Sequence, residues 1–116
     1  STPMVALSRN VKKKDAMKML LTGEMIDAEE AKRISLINDY VVSEKLSVEV
    51  MNLAKKIASK SMKTVNIGKS AFYKQAELSL SDAYRYTSEV MAKNIMNDDA
   101  KEGIASFIEK RDPNWD

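Results

Sequence analysis

Two pairs of adjacent carboxylates have residue types and spacing that could do chemistry: Glu29 with Glu30, and Asp98 with Asp99. Neighbouring carboxyl groups can act as general acid and general base when burial separates their pKa values. Both pairs stand at predicted helix starts, where negative charge complements the helix dipole. Their positions therefore favour a structural role over a catalytic one.

The composition excludes several other kinds of site. The 116 residues include no cysteine and no histidine, which rules out disulfides, thiol catalysis, histidine acid–base chemistry and the usual zinc sites within them. Nineteen basic residues nearly balance 17 acidic ones, and no basic stripe typical of nucleic-acid binding is present. The basic run 12–14 is interpreted as solvated surface, with attraction of a phosphorylated ligand as the alternative. We expect no nucleic-acid partner and no membrane span.

The elements that must position any site are predicted to be helical. Apolar residues make up 44% of the sequence, whereas glycine (3) and proline (2) are scarce, which favours helix. We predict an all-α fold of five to six helices, with residues 36–42 as the one candidate strand because β-branched and aromatic side chains are frequent there. The predicted helices cover about 15–23, 27–34, 43–60, 62–77, 80–96 and 97 to just before Pro113.

Particular residues predict how these helices begin and end. Asp15 and Ser43 are expected to cap the N-termini of their helices. Asp27 with Glu30 three residues later has the spacing of a capping box. Gly23 stands where a left-handed residue would end the first predicted helix.

Two glycines lie inside predicted helices, at a cost of about 1 kcal/mol each relative to alanine. The interpretation for both Gly68 and Gly103 is the close approach of another helix. Trp115, Tyr84 and Tyr86 are interpreted as packing residues, because no basic stripe accompanies them.

An ordered set of motifs runs along almost the whole chain. It contains Met-Lys-Met-Leu-Leu-Thr-Gly at 17–23, Leu-Ile-Asn with Tyr-Val-Val at 36–42, Ala-Lys-Lys-Ile-Ala at 54–58, Gly-Lys with Phe-Tyr at 68–73, and Phe-Ile-Glu-Lys-Arg at 107–111. In order and spacing, this set resembles the C-terminal region of enoyl-CoA hydratase/isomerase proteins, the crotonase superfamily. The resemblance is greatest to the branch of enoyl-CoA hydratase domain-containing members. One departure is Ser35, which occupies a position where family members commonly have a helix-ending glycine.

The resemblance implies a single helical domain over residues 1–116, without the ββα spiral core of the family. That core supplies the oxyanion-hole N–H groups and the acid–base carboxylates, so no catalytic residue and no metal ligand is expected in this chain. The implied parent reaction is hydration or isomerisation of an enoyl-CoA thioester in fatty-acid metabolism, with acyl-CoA as substrate and no other cofactor. A homo-oligomer is implied, a trimer or a dimer of trimers, in the cytoplasm or the mitochondrial matrix.

The resemblance also assigns candidate CoA-binding residues: Phe107, Lys110 and Met91. An aromatic face can pack on adenine, and an ammonium group can meet a phosphate. The alternatives are that Phe107 belongs to the core with Ile104, that Lys110 is a solvated cation at a helix end, and that Met91 is a packing residue. A rival hypothesis for the whole chain is a non-catalytic helical module that uses an apolar face for protein–protein assembly.

Overall fold

The computed structural model of the chain describes the backbone of residues 2–115 and the side chains of residues 3–115. Within these residues it contains seven α-helices, one 3-10 turn at Ser43–Lys45 and no strand, which confirms the all-α prediction. The helices are α1 (Thr2–Asn10), α2 (Lys13–Thr22), α3 (Ala28–Arg33), α4 (Leu46–Ala58), α5 (Met62–Ala76), α6 (Leu80–Ile95) and α7 (Asp98–Glu109). Helix α1 was not predicted from the sequence. Its Pro3 is compatible with a helix because it lies in the first turn, where no intrahelical N–H bond is lost.

The chain divides into two compact units, Ser1–Val50 and Met51–Asp116. In the first unit, Val11, Ala16 and Ile34 are buried together. The partly buried side chains packed against them are Leu7, Met19 and Ile26. This small core joins α1, α2 and the end of α3.

Two helix ends of the first unit follow the sequence signals. Gly23 is left-handed at φ 64°, and its N–H donates to the Met19 carbonyl at 3.0 Å. The Asp27 side chain caps α3 by accepting from the Glu30 N–H at 2.8 Å. Both signals act within four residues of the chain, which is why they could be recognised.

Two predicted caps are wrong. Asp15 does not cap α2, because that helix begins earlier, at Lys13, and Asp15 lies in its first turn. Ser43 does not cap α4 either. It opens the 3-10 turn, and α4 begins at Leu46.

Ser35 is left-handed, with φ 65°, at the position where the resemblance led us to expect a helix-ending glycine. The Ser35 N–H donates to the Lys32 carbonyl at 3.0 Å, and the Leu36 N–H donates to the Ala31 carbonyl at 2.9 Å. This pair of bonds is the Schellman arrangement that satisfies the last carbonyls of a helix. A Cβ in this region costs about 1–2 kcal/mol, so α3 ends with backbone strain.

The predicted strand at 36–42 does not form. Its first residues continue the turn that ends α3, because the Ile37 N–H also bonds to the Ala31 carbonyl, at 3.3 Å. Asp39 then accepts from its neighbour, the Tyr40 N–H, at 2.9 Å, and from the Lys32 ammonium at 2.7 Å. Backbone and side-chain groups here are thus engaged locally and not with a second strand.

In the second unit, α5 and α6 pack along each other, and α7 packs against both. Serine side chains cap the first two of these helices. Ser61 accepts from the Thr64 N–H at 3.1 Å, and Ser79 accepts from the Asp82 N–H at 3.2 Å. Both helices agree with their predicted bounds to within one residue.

One polar contact accompanies the packing of α5 on α6. The Lys74 ammonium lies 4.6 Å from the centroid of the Tyr86 ring, which is a cation–π distance. Tyr86 therefore contacts the neighbouring helix, in keeping with its interpretation as a packing residue.

Much of the apolar surface of the helices is exposed among the described residues. No residue of α4, which is described throughout, is buried, although its apolar positions recur at helical spacing. Four of them are about half exposed: Leu46, Val50, Leu53 and Ile57. On α5 and α6 three aromatic side chains are similarly open: Phe72, Tyr73 and Tyr84. The predicted apolar faces are thus present, but the described residues do not cover them. No helix in the described part is both long and apolar enough to cross a membrane.

Candidate functional site

Two of the three predicted CoA-binding residues lie together at the C-terminal end of α7. Phe107 is 84% exposed, so within this chain it is not the core residue that its spacing from Ile104 suggested. Lys110 is also exposed. Among the described residues, none forms an ion pair with Lys110. An aromatic ring and an ammonium three residues apart are therefore both accessible to a ligand.

Lys110 ends α7 in a left-handed conformation, with φ 54° and ψ 42°. Its N–H lies 3.4 Å from the Phe107 carbonyl, and the next N–H, of Arg111, donates to the Ser106 carbonyl at 3.1 Å. This is again the Schellman arrangement, and the Cβ of lysine makes it costly by about 1–2 kcal/mol. Lys110 is thus one of two non-glycine residues with positive φ in the described part of the chain, the other being Ser35.

Arg111, the residue after Lys110, forms a bidentate ion pair with Glu102. The Arg111 guanidinium donates from Nη1 to Oε1 of Glu102 at 2.5 Å and from Nη2 to Oε2 at 2.9 Å. Arg111 Nε also donates to Glu109 at 2.5 Å, and Glu102 Oε1 accepts from the Asn114 N–H at 2.8 Å. Hydrogen bonds from Arg111 and then from the Asn114 N–H lower the pKa of the Glu102 carboxyl to about 2.

The indole of Trp115 attaches the end of the chain to two other elements. Its Nε1–H donates to the Ser59 carbonyl, just after α4, at 2.9 Å. Its ring lies 3.5 Å from the point that a Cβ on Gly103 would occupy. The close approach predicted at Gly103 exists, but it is made by this side chain and not by a helix. At Gly68 the prediction is wrong within the described residues, since no atom of another helix lies within 4 Å of its Cβ position.

Met91, the third predicted residue, lies on α6 and is 59% exposed. The described residues show no hydrogen bond, ion pair or ring contact that joins it to Phe107 or Lys110. The structure therefore brings two of the three predicted residues together, while the role of Met91 stays a prediction.

In the first carboxylate pair, Glu30 forms an ion pair within its own helix, α3. It pairs with the Arg33 guanidinium through two bonds of 2.6 Å. The hydrogen bond from Arg33 lowers the pKa of the Glu30 carboxyl. The folded chain thus favours the ionised form of Glu30, which is the form that pairs with Arg33.

In the second carboxylate pair, both members make contacts near the start of α7. Asp99 accepts a short hydrogen bond from the buried Ser61 hydroxyl at the start of α5. Asp98 pairs with Lys101 on its own helix at 3.2 Å. These contacts fit a structural role. The described residues contain no cluster of three or more acidic side chains that could hold a metal ion.

Cavities among the described residues lie elsewhere. In the second unit, a cavity of about 400 Å³ is lined mainly by apolar groups, including Val65, Ala100 and Trp115. In the first unit, a cavity of about 240 Å³ is lined by Asp15 and Ile34 among others. Neither of these described cavities is lined by Phe107 or Lys110, so the candidate site is an open surface at the end of α7.

The motif that contains Arg111 was recognised in the sequence, but its partner Glu102 was not. Glu102 and Arg111 are nine residues apart, which is not a spacing that brings side chains together along a helix. The signal available was Pro113 beyond the helix, because a chain that stops and turns can bring a later residue back onto α7. Sequence alone does not say which carboxylate it meets.

Comparisons with known proteins point to one family. The family model described as Enoyl-CoA hydratase/isomerase matches residues 2–116. Enoyl-CoA hydratase domain-containing protein 3, mitochondrial, is 49% identical in Mus musculus and 46% identical in Homo sapiens. Each match covers 99% of this chain and 38% of the relative.

Solved structures give the same answer for the fold. The crystal structure of the human domain-containing protein 3 matches with a TM-score of 0.94 and 46% identity, over 99% of this chain and 46% of that one. The enoyl-CoA hydratase of Mycobacterium smegmatis matches with a TM-score of 0.96 and 43% identity, over 99% and 45%. The chain thus spans less than half the length of these relatives. Because the family match extends over nearly all of its residues, the chain belongs to the enoyl-CoA hydratase/isomerase family, as a helical part of the crotonase fold.

Proposed function

We propose that this chain is the C-terminal helical part of an enoyl-CoA hydratase/isomerase-like protein, where it binds the nucleotide end of acyl-CoA and forms contacts between subunits. The observation that carries the proposal is the exposed pair at the end of α7, Phe107 and Lys110. An exposed aromatic ring offers a face on which adenine can stack. An ammonium without an ion-pair partner among the described residues can meet a phosphate of CoA.

The parent reaction under this proposal is hydration or isomerisation of an enoyl-CoA thioester in fatty-acid metabolism, without a metal or redox cofactor. Preorganised donors that stabilise the developing enolate usually contribute most to such catalysis, and they would come from the spiral core and not from this chain. One acidic side chain of each pair considered above is engaged in a helix contact: Glu30 with Arg33 and Asp99 with Ser61. The chain by itself is therefore proposed to have no catalytic residue.

The exposed apolar faces support a role in assembly. Half-exposed Leu46, Val50, Leu53 and Ile57 lie along α4, and contiguous apolar surface of this kind seldom stays solvated in a monomer. In the full fold, such faces would be covered by the spiral core or by neighbouring subunits. We propose a homo-oligomer on this ground, and the resemblance to the family implies a trimer or a dimer of trimers.

A second candidate function is a non-catalytic helical module for protein–protein assembly. The same open apolar face of α4 favours it, because such a face fits a protein partner as well as a spiral core. The two proposals differ on CoA, which only the first requires the end of α7 to bind.

The cell compartment proposed is the mitochondrial matrix. The names of the relatives from Mus musculus and Homo sapiens include the word mitochondrial. Fractionation of cells that express a tagged full-length protein tests this, and a wholly cytoplasmic signal would contradict it.

The decisive experiment compares two proteins with crotonyl-CoA as substrate. One is the full-length protein, meaning a polypeptide of the relatives' length with residues 1–116 as its C-terminal part. The other is the 116-residue chain. Loss of the conjugated thioester absorbance is expected with the first and not with the second. Turnover that scales with the concentration of the purified chain would contradict the proposed location of the catalytic groups. A full-length protein that neither turns over substrate nor binds CoA in calorimetry would favour the assembly module.

A further inference from the structure

The end of α7 combines a strained backbone with an exposed ammonium group. Lys110 is left-handed although it carries a Cβ, and such strain persists only when the surroundings hold the residue in place. The two Schellman bonds do not explain the choice of residue, because glycine would make them as well and without strain. Contacts beyond the helix end must therefore hold Lys110 in this conformation.

Contacts on the C-terminal side of Lys110 supply that hold. Glu102, on the preceding turns of α7, receives both Nη groups of Arg111 and the backbone N–H of Asn114. A single carboxylate thus fixes the residue immediately after Lys110 and the residue four positions after it. Two-pronged arginine–carboxylate pairs of this kind restrict orientation as well as distance.

A second anchor lies four residues beyond Arg111, at Trp115. The indole N–H donates to the Ser59 carbonyl at 2.9 Å, and the ring covers Gly103 at 3.5 Å from its Cβ position. The segment after α7 is therefore held at both of its ends, by an ion pair at Arg111 and by a ring contact and a hydrogen bond at Trp115. We call Glu102, Arg111 and Trp115 the C-terminal clasp.

We propose that the C-terminal clasp positions Lys110, fixing its left-handed backbone so that its ammonium meets the phosphate of a CoA nucleotide. This inference rests on the proposed function, because it assigns residues that act through Lys110 and do not touch the ligand. Arg111 is bonded to the carboxylates of both Glu102 and Glu109, and the Trp115 indole N–H is bonded to the Ser59 carbonyl. The groups that the clasp leaves exposed at the end of α7 include Phe107 and Lys110.

The test uses CoA titration calorimetry on the full-length protein, with thermal unfolding of each variant beside it. Lys110→Ala is expected to weaken CoA binding about fivefold or somewhat more, the loss of a charge-assisted hydrogen bond. Glu102→Gln is expected to weaken it about twofold or more, as for residues coupled in one network. In the Lys110→Ala background, Glu102→Gln should no longer weaken binding, although it should still lower the unfolding temperature.

Whether Glu102→Gln strengthens or weakens CoA binding distinguishes a positioning role for Glu102 from a simple effect of its negative charge. CoA is a polyanion, so removal of a nearby negative charge should by itself strengthen binding. Weaker binding therefore indicates that the position of Lys110 has been lost. The matched control is Asp98→Asn, a carboxylate-to-amide change on the same helix whose ion pair with Lys101 is exposed. It should not weaken CoA binding.

The outcomes are distinguishable. If Lys110→Ala weakens binding but Glu102→Gln has no weakening effect, or weakens it equally in both backgrounds, the clasp is only structural. The inference is then overturned, while the proposed function stands. If Lys110→Ala has no effect, the proposed CoA site fails and the inference fails with it. If Glu102→Gln does not fold, Trp115→Phe replaces it, since that change keeps an aromatic ring but loses the bond to the Ser59 carbonyl, and the same pattern is required.

Discussion

The carboxylate of Glu102 and the guanidinium of Arg111 face each other through two hydrogen bonds, 2.5 Å and 2.9 Å long. The pair closes a loop between the middle of α7 and the residue that follows its left-handed end. Because the folded state favours the ionised carboxylate, the pKa of Glu102 falls to about 2 from its usual 4.5. This difference between folded and unfolded states makes stability depend on pH.

The first prediction concerns that dependence. A carboxyl with a lowered folded pKa contributes stability above its unfolded pKa, and this contribution is lost as the pH falls through the folded value. The window for Glu102 therefore runs from about pH 4.5 down to about pH 2. Denaturant unfolding of the 116-residue chain across this window should show a shallower loss of stability for Glu102→Gln than for the unchanged chain. Equal slopes would mean that the ion pair does not persist in solution.

The second prediction concerns the ionic character of the proposed CoA contact. In the full-length protein, Lys110→Ala should weaken CoA binding by about 1 kcal/mol or somewhat more. Added salt should shrink the difference, because an exposed charge pair is screened. Lys56→Ala, at another exposed lysine, on α4, is the control and should do little. Calorimetric titrations at low and high salt measure both. Equal affinities for Lys110→Ala and the unchanged protein would leave Lys110 as a helix-end cation.

The third prediction is that the 116-residue chain self-associates. Large apolar side chains on α5 and α6 are open to solvent, among them Phe72 at 64% and Tyr84 at 69% exposure. Sedimentation at micromolar concentration should therefore show species larger than a monomer. Tyr84→Lys should shift the distribution towards monomer, whereas Lys93→Ala, at a polar position on the same helix, should not. A compact monomer alone would argue against α5 and α6 as contact surfaces.

Local signals explain why most of the fold could be predicted from sequence. Gly23 and Asp27 each act within four residues of the chain, through a left-handed end and a side-chain cap. The same reasoning failed at 36–42, because β-branched residues form a strand only when a neighbouring strand accepts their hydrogen bonds. There the first N–H groups bond back to Ala31 instead.

The candidate site was only partly predictable for a related reason. The resemblance singled out Phe107 and Lys110, and the structure shows both exposed at one helix end. The bond from Trp115 to Ser59 joins residues 56 apart, and no periodicity in a sequence encodes such a contact. Helical spacing likewise predicts that an apolar face exists, as on α4, but not which surface covers it.

The last prediction concerns the strain at Ser35. This serine has φ 65°, where a Cβ costs about 1–2 kcal/mol, and glycine would relieve that cost while losing about 0.5–1 kcal/mol through its greater freedom when unfolded. Ser35→Gly should therefore stabilise the 116-residue chain by about 0.5–1 kcal/mol. The matched control is Ser70→Gly, the same change at an exposed position inside α5, which should destabilise it because glycine is a poor helix former. Denaturant unfolding measures both changes. A shift of the midpoint concentration, with no change in how steeply the free energy of unfolding falls with denaturant, reports the change in stability. A loss of stability at both positions would show that Ser35 is not held in the left-handed conformation.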